Sequence, residues 1–291
     1  MKLVHEVLYY INYFRCKKLL YQNRKRQYEY DAVICVIAKN EEQYLKEWID
    51  YHLSIGFQHI YLVDNNDIPG VGELLSVYLN AGVMTLIPFN SIAHPQAQAY
   101  EYVALRYGLS SKWMAFIDVD EFFVLFGYSN IVDFLNEYED IPAIGVNWKM
   151  FGANGRIYKT EGRVIDRFPI PSNTSFALAH NNTIKSIVRP LLLIKIYDSS
   201  LRYVHRWTLP TFSVHRKRIK AAFSKASYDK IALNHYYTKS YEECKERCSY
   251  GDVLMNSVEQ KDLLVRFFQV NEKEEMMNDI SKYEKSNCKK I

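Results

Sequence analysis

Trp113-Met114-Ala115-Phe116-Ile117-Asp118-Val119-Asp120-Glu121-Phe122-Phe123 is the stretch whose reading decides the fold. Apolar residues run to Ile117, and acids then interrupt them. Read as a buried strand, the segment ends where the carboxylates begin. If strand geometry continues through Val119, Asp118 and Asp120 point to one side, because side chains alternate faces with period two. Two carboxylates then meet at the C-terminal end of a strand, where open α/β sheets bind ligands. Such a pair is costly unless a cation joins it. Oxygen ligands suit a hard divalent ion, Mg2+ or Mn2+, that also holds a diphosphate. A bare Asp-x-Asp is equally the pattern of a strand running into a solvated turn, so the rest of the chain must decide.

Upstream, Asp31 to Ala38 is a short apolar run that fits a buried parallel strand and ends at Lys39-Asn40-Glu41-Glu42. Tyr44 to Leu53 reads as a helix, closed by Gly56. Ile60 to Val63 is a second strand, ending at Asp64-Asn65-Asn66-Asp67 and a Pro-Gly turn. Val71 to Ala81 reads as one helix and Val83 to Ile87 as a third strand. His94 to Gly108 is a further helix before the fourth strand at Trp113. This β-α-β-α-β-α-β order predicts an α/β fold with a mostly parallel sheet flanked by helices. The three polar clusters after its strands belong on one sheet edge, the expected ligand crevice. Neither GxGxxG nor GxxxxGK[ST] occurs, so the dinucleotide fold and the P-loop are not supported.

Downstream, Ile131 to Tyr138 reads as a helix and Ala143 to Lys149 as a strand. Residues 156–183 carry few regular signals. Ile187 to Ile196 is apolar with a proline, which suggests an edge strand. The loops at 150–183 and 197–215 are expected to shape the substrate pocket.

The chain has 291 residues, 48% hydrophobic and 24% charged, enough for a sizeable core. Tyrosine is abundant, with 24 copies, and suits polar grooves as well as cores. Net charge is +4, and it is concentrated: residues 1–26 hold seven Lys/Arg and one acid, Glu6. That pattern is a near-neutral body with a basic arm, not a nucleic-acid footprint. Leu3, Val4, Val7, Leu8, Ile11 and Phe14 stand at helical spacing ahead of the clustered bases. Such a helix either docks on an anionic membrane surface or packs on its own domain. There is no apolar run of 18 residues and no signal-peptide pattern. Five scattered cysteines argue for a reducing compartment, with Cys244 and Cys248 as buried or idle thiols. The expected location is the cytoplasm, at the inner face of the plasma membrane. The expected division is a basic helix over 1–30, a catalytic domain over 31–240 and a helical segment over 241–291.

In this order the motifs resemble those of the GT-A glycosyltransferases, within them glycosyltransferase family 92 and related bacterial family 2-like enzymes. The pieces are Lys39-Asn40-Glu41 with Glu47-Trp48-Ile49 and Tyr51-His52; Asp64-Asn65; Asp118-Val119-Asp120-Glu121-Phe122; Asn147-Trp148 with Phe151-Gly152 and Gly155; Lys185-Ser186-Ile187-Val188-Arg189-Pro190; and Asn234-His235-Tyr236-Tyr237-Thr238-Lys239-Ser240. They span roughly residues 33–252. The resemblance implies a GT-A (Rossmann-like) fold, a nucleotide-sugar donor, usually a UDP-sugar, and a divalent metal.

It also implies roles. Asp120 contacts the metal, and Asp118 the ribose or the metal. Glu41 and Asp64, with Lys39 beside them, face the uracil and ribose; their structural readings are a helix N-terminal acid and a turn former. Lys185, Arg189 and Lys239 neutralise the departing diphosphate. His235 is a metal or diphosphate ligand, or a satisfied core histidine; His215 is a weaker candidate. Inversion needs a general base, and Asp166 stands where such sequences show Glu before Arg. Glu161 and Glu121 are its rivals, and Arg167 offers Asp166 a plain ion pair instead. The expected acceptor is a glycan, such as a lipid-linked capsular polysaccharide, and the transfer is hexosyl. The alternatives are a nucleotidyl or phosphoryl transferase on a similar fold, and a non-catalytic glycan-binding or scaffold protein.

Overall fold

A computed structural model describes residues 2–66, 71–89, 95–196, 209–250, 257–271 and 274–287. Asp67 and residues 197–208 of the second pocket loop lie outside them.

Strands β1 (Tyr30–Ala38), β2 (His59–Asp64), β3 (Met84–Pro88) and β4 (Ser111–Phe116) pair in parallel in the order β3-β2-β1-β4. In β1 every residue from Ala32 to Ala38 is buried. Alternation sends Ala32, Ile34 and Val36 to one core layer and Val33, Cys35 and Ile37 to the other. The first layer packs under α2 (Glu42–Ser54) through Leu45, Trp48 and Ile49. The second packs under α5 (Pro95–Tyr107) through Tyr100 and Val103. The helix expected over 71–81 is two short ones, α3 (Val71–Leu74) and α4 (Ser76–Asn80). The N-terminal helix α1 (Lys2–Gln22) docks on the second layer through Cys16 and Leu20.

Beyond β4 the sheet becomes mixed. Strands β5 (Glu121–Leu125), β6 (Ala143–Met150), β7 (Ile184–Val188) and β10 (Ile231–His235) extend it in the order β4-β7-β6-β10-β5, with β8 (Thr211–Ser213) beside β6 and β9 (Arg218–Ile219) beside β8. Strand β7 runs antiparallel to both β4 and β6. It is therefore central, not the edge strand expected. Pro190 explains the difference: it opens helix α9 (Pro190–Ile196), where its missing N–H costs nothing. The loosely patterned 156–183 stretch holds short helices α7 (Val164–Arg167) and α8 (Ser175–His180); α6 (Ile131–Asn136) precedes β6. Helices α10 (Tyr241–Tyr250), α11 (Ser257–Asn271) and α12 (Glu274–Asn287) close the described chain.

Register fixes the site edge. Ala38 stands opposite Asp64, and Cys35 opposite Phe116, so β1, β2 and β4 end on the same side. The expectation that three polar clusters share one edge is met for the described residues.

Candidate active site

The acid motif is a turn, not a continued strand. Strand β4 stops at Phe116, and the Glu121 N–H donates to the Asp118 carbonyl at 3.1 Å. Asp118 and Asp120 therefore take different partners instead of lying side by side. Asp118 accepts from Lys185 Nζ at 2.6 Å and from Gln96 Nε2 at 2.7 Å. Asp120 is buried and accepts from Arg247 Nη1 at 3.2 Å, with His235 Nε2 at 3.4 Å. Strand pairing aims His235 here: it stands opposite Glu121, and the Tyr236 N–H donates to the Asp120 carbonyl at 2.9 Å.

Burial alone would raise the Asp120 carboxyl, but the charges of His235, Arg247 and Lys239 outweigh it and hold it below the usual carboxylate range. Lys185 is fully enclosed between Asp118 and Glu121, the latter at 3.6 Å. Burial works against its charge, and the two carboxylates overcome that, holding its pKa above the ordinary lysine value. Glu121 is buried too, and burial pushes its carboxyl well up, with Asp118 and Asp120 adding to the rise and Lys185 opposing it. It accepts from Trp148 Nε1 at 2.6 Å and from the Asp118 N–H at 2.9 Å. Sealed in this way, Glu121 positions the turn and has no access to an acceptor hydroxyl.

A pocket of about 400 Å³ opens between the end of β1, the start of α2 and the segment from Tyr237 into α10. Lys39, Glu41, Lys159, Lys239 and Arg247 are among its walls. Lys239 adopts φ 50°, in the left-handed region, and its Nζ lies 4.3 Å from the centre of the Tyr44 ring. The wall behind is built on Glu243. Arg167 grips it with two bonds of 2.9 Å, and Tyr44 Oη donates to it at 2.9 Å. Burial opposes the Glu243 charge, but Arg167, Ser240 and Lys239 bring its pKa down to about 2.

The other expected residues fall into three groups. Glu41 is the N-cap position of α2, and with Lys39 and Lys239 it is in the pocket wall. Asp64 lies on the same edge but is folded into a turn, accepting from the Asn66 N–H at 3.0 Å and Nδ2 at 2.8 Å; the Asn66 carbonyl oxygen Oδ1 in turn accepts from the Asn40 N–H at 2.7 Å. Arg189 is at the opposite end of the sheet, donating to the Glu139 carbonyl at 3.1 Å and lying 4.8 Å from the Trp113 ring. The antiparallel run of β7 separates it from Lys185, so it does not reach a diphosphate held at the pocket. Asp166 pairs with Arg163 at 2.8 Å on the exposed side of α7, not with Arg167. Glu161 is exposed on the same loop. His215 is exposed and bound to Ser227 and Asp229, at 3.0 and 3.1 Å.

Sequence reasoning missed Arg247 and Glu243, and it gave Arg167 the partner Asp166 where the structure gives it Glu243. One signal was available. Ser240-x-x-Glu243 is a capping box: the Ser240 N–H donates to Glu243 at 3.1 Å and the Glu243 N–H to Ser240 Oγ at 3.2 Å. Arg247 follows Glu243 by four residues, on the same helix face.

The fit to a divalent ion rests on Asp120 and His235. Among the described residues no three His, Cys, Asp or Glu side chains converge. Asp120 and His235 do converge, and the buried Nδ1 of His235 has no hydrogen-bond partner among the described residues. A carboxylate and an imidazole suit an ion that takes its remaining ligands from a substrate diphosphate and water. Asp118 is committed to Lys185 in this arrangement.

The fold and this edge define an α/β protein of the GT-A architecture. The sequence pattern of glycosyltransferase family 92 matches residues 30–263, and the chain belongs to that family. A glycosyltransferase family 92 protein of Oryza sativa subsp. japonica is 27% identical over 232 residues, covering 79% of this chain and 37% of the relative. One of Ricinus communis is 26% identical over 234 residues, covering 75% and 37%. The chain thus spans a little over a third of the length of these curated relatives. A galactan β-1,4-galactosyltransferase of Arabidopsis thaliana is 31% identical over 134 residues, covering 41% of this chain and 27% of the relative. Among solved structures, S. aureus TarS (residues 1–349) matches with a TM-score of 0.43 at 13% identity, covering 82% of this chain and 70% of that one.

Proposed function

We propose that the protein transfers a hexosyl group from a UDP-sugar to a hydroxyl of a glycan, with inversion at the anomeric carbon. The observation that carries this reading is the junction of the pocket and the acid turn. Arg247 lines the pocket and donates to Asp120, which has His235 at its other oxygen.

In this reading the diphosphate lies among Lys39, Lys239 and Arg247, which offset its charge as it leaves. Glu41 and Asp64 accept from the uracil N–H and the ribose hydroxyls. Asp120 and His235 would hold Mn2+ or Mg2+, which when bound stabilises negative charge on the leaving diphosphate. Asp166 is the base that takes the acceptor proton as the hydroxyl attacks; Arg167, the next residue, ties α7 to the pocket wall through Glu243. The acceptor is a glycan, and a lipid-linked polysaccharide of capsular type is the form we favour. Family membership and the galactosyltransferase relatives support the reaction class.

Calorimetric titration of UDP and GDP with and without Mn2+, repeated on Asp120→Asn, tests the donor site. Tight UDP binding that needs both the ion and Asp120 is the expected result. Pyrophosphate release from a nucleoside triphosphate would instead favour a nucleotidyl transferase. Absence of nucleotide binding in every condition would favour a glycan-binding scaffold.

A further inference from the structure

Helix α1 is apolar on two faces, and among the described residues the body of the protein covers one of them. The inner face carries Cys16 and Leu20, both buried. Beside them Tyr13 packs 5.5 Å from Phe212, and Arg218 lies 3.2 Å over the Tyr9 ring. Glu6 pairs with Arg218, and Lys17 with Asp140 at 2.8 Å. These contacts hold the helix in one orientation.

The outer face is a stripe of Val4, Val7, Leu8, Ile11 and Phe14, exposed by 50 to 65%. The spacing is i, i+3, i+4, i+7 and i+10, which is one side of an α-helix. Leaving such a stripe in water is unfavourable, because removing apolar area from water is favourable in proportion to that area. Arg15 and Lys18 continue the same face, 11 and 14 residues after Val4, and both are exposed. Arg24, Lys25 and Arg26 follow in the exposed turn that ends the helix. No described helix is long and apolar enough to cross a membrane. Tyr10 and Tyr21, 52% and 66% exposed, flank the stripe with side chains suited to a water–lipid boundary.

We infer that the outer face of α1 lies in the surface of an anionic lipid bilayer, with Val4, Val7, Leu8, Ile11 and Phe14 in the acyl boundary and Arg15, Lys18 and the turn bases on the headgroups. Charge complementarity selects this occupant: an apolar stripe that runs directly into bases matches apolar chains beneath anionic headgroups. The inward contacts of α1 fix the body against that surface. The negatively charged cytoplasmic leaflet is such a surface. The inference rests on α1 alone and stands whether or not the protein transfers sugars.

The test is sedimentation of the full chain with vesicles of phosphatidylcholine alone and of phosphatidylcholine with phosphatidylglycerol. Wild type is expected to bind the anionic vesicles, and to bind them less as salt rises. Ile11→Asp/Phe14→Asp should lose at least about tenfold in affinity. Arg15→Gln/Lys18→Gln should lose about fivefold per base removed, on anionic vesicles only. All four positions are outward, so circular dichroism and thermal melting should match wild type. Equal sedimentation of Ile11→Asp/Phe14→Asp and wild type would overturn the inference. So would concentration-dependent self-association in light scattering that this variant abolishes while vesicles go unbound; the stripe would then be a surface for a second copy.

Discussion

Arg247 Nη1 lies 3.2 Å from Asp120 Oδ2 and 3.3 Å from the Tyr237 carbonyl oxygen. One guanidinium therefore ties α10 to the acid turn after β4 and to the chain leaving β10. The segment that the sequence set apart as a C-terminal helical unit supplies a side chain to the site. If the pocket holds UDP as proposed, Arg247→Ala should weaken its binding by at least about tenfold, because a charge-assisted bond to the diphosphate would be lost. It should also lower stability by up to about 3 kcal/mol, with His235 still beside Asp120. Arg247→Lys should recover part of the affinity but not the two-point link. Calorimetry with UDP and urea unfolding measure the two effects; unchanged UDP affinity in Arg247→Ala would remove Arg247 from the donor site.

Glu243 and Arg167 form the bidentate buried pair behind the pocket. Glu243→Ala leaves an enclosed guanidinium without its partner, and such single removals cost about 3–5 kcal/mol. Glu243→Gln keeps the shape and should cost less. Arg167→Met/Glu243→Met, which removes both charges, should be closer to wild type than Glu243→Ala. The denaturant midpoints of the three variants rank them. With Arg167→Met and Glu243→Met also measured singly, a double variant as unstable as their sum would show that the pair is not coupled.

The first half of the fold is legible because local chemistry decides it. Seven consecutive buried residues in β1 leave few alternatives, and the periodic apolar faces of α2 and α5 follow the same logic. What fails is non-local. Period-two geometry was extended through Asp118 and Asp120, but the Glu121 N–H closes a turn there, and that bond depends on β5 pairing with β10 across the sheet. Pro190 within an apolar run suggests an edge strand, but Pro190 begins α9 and β7 lies between β4 and β6. Lys185 is near the start of β7 and Arg189 just past its end, so the two side chains sit about 13 Å apart along the strand direction. Arg247 on Asp120 and Arg167 on Glu243 join residues 127 and 76 positions apart, beyond the reach of any local pattern. The residue spacing in α1 fits either a membrane surface or the body of the protein. The structure gives the body one face and leaves the other apolar face outward.

His52 predicts an acid weakness in the core. It is buried among Phe57, Phe122 and Phe123, with Nδ1 donating to the Trp48 carbonyl at 2.8 Å. Burial lowers its pKa from 6.5 to about 3, partly offset by the Trp48 bond. The unfolded chain takes up a proton below pH 6.5 and the folded chain does not until about pH 3. Stability is therefore complete above pH 6.5 and falls as pH drops, by about 1.4 kcal/mol for each unit in this window. His52→Asn retains a donor for Trp48 and has no proton to bind, so its unfolding free energy should be flatter between pH 6.5 and 5. Parallel slopes for variant and wild type would assign the acid sensitivity elsewhere.

Asp166 is the sharpest test of the chemistry. Its carboxylate is exposed and paired with Arg163, while its neighbour Arg167 is locked into the pocket wall. A general base contributes roughly 10²–10⁴-fold, so Asp166→Asn should lower kcat by at least about 100-fold. Affinity for UDP in the proposed donor site should stay within about twofold, because Asp166 does not line the pocket. Arg163→Gln breaks the same ion pair without removing the base and should change kcat little, which separates proton transfer from the structural pair. Glu161→Gln serves as the matched control on the same loop. If Asp166→Asn and Arg163→Gln have equal, small effects, the Asp166–Arg163 pair is structural and the base lies elsewhere.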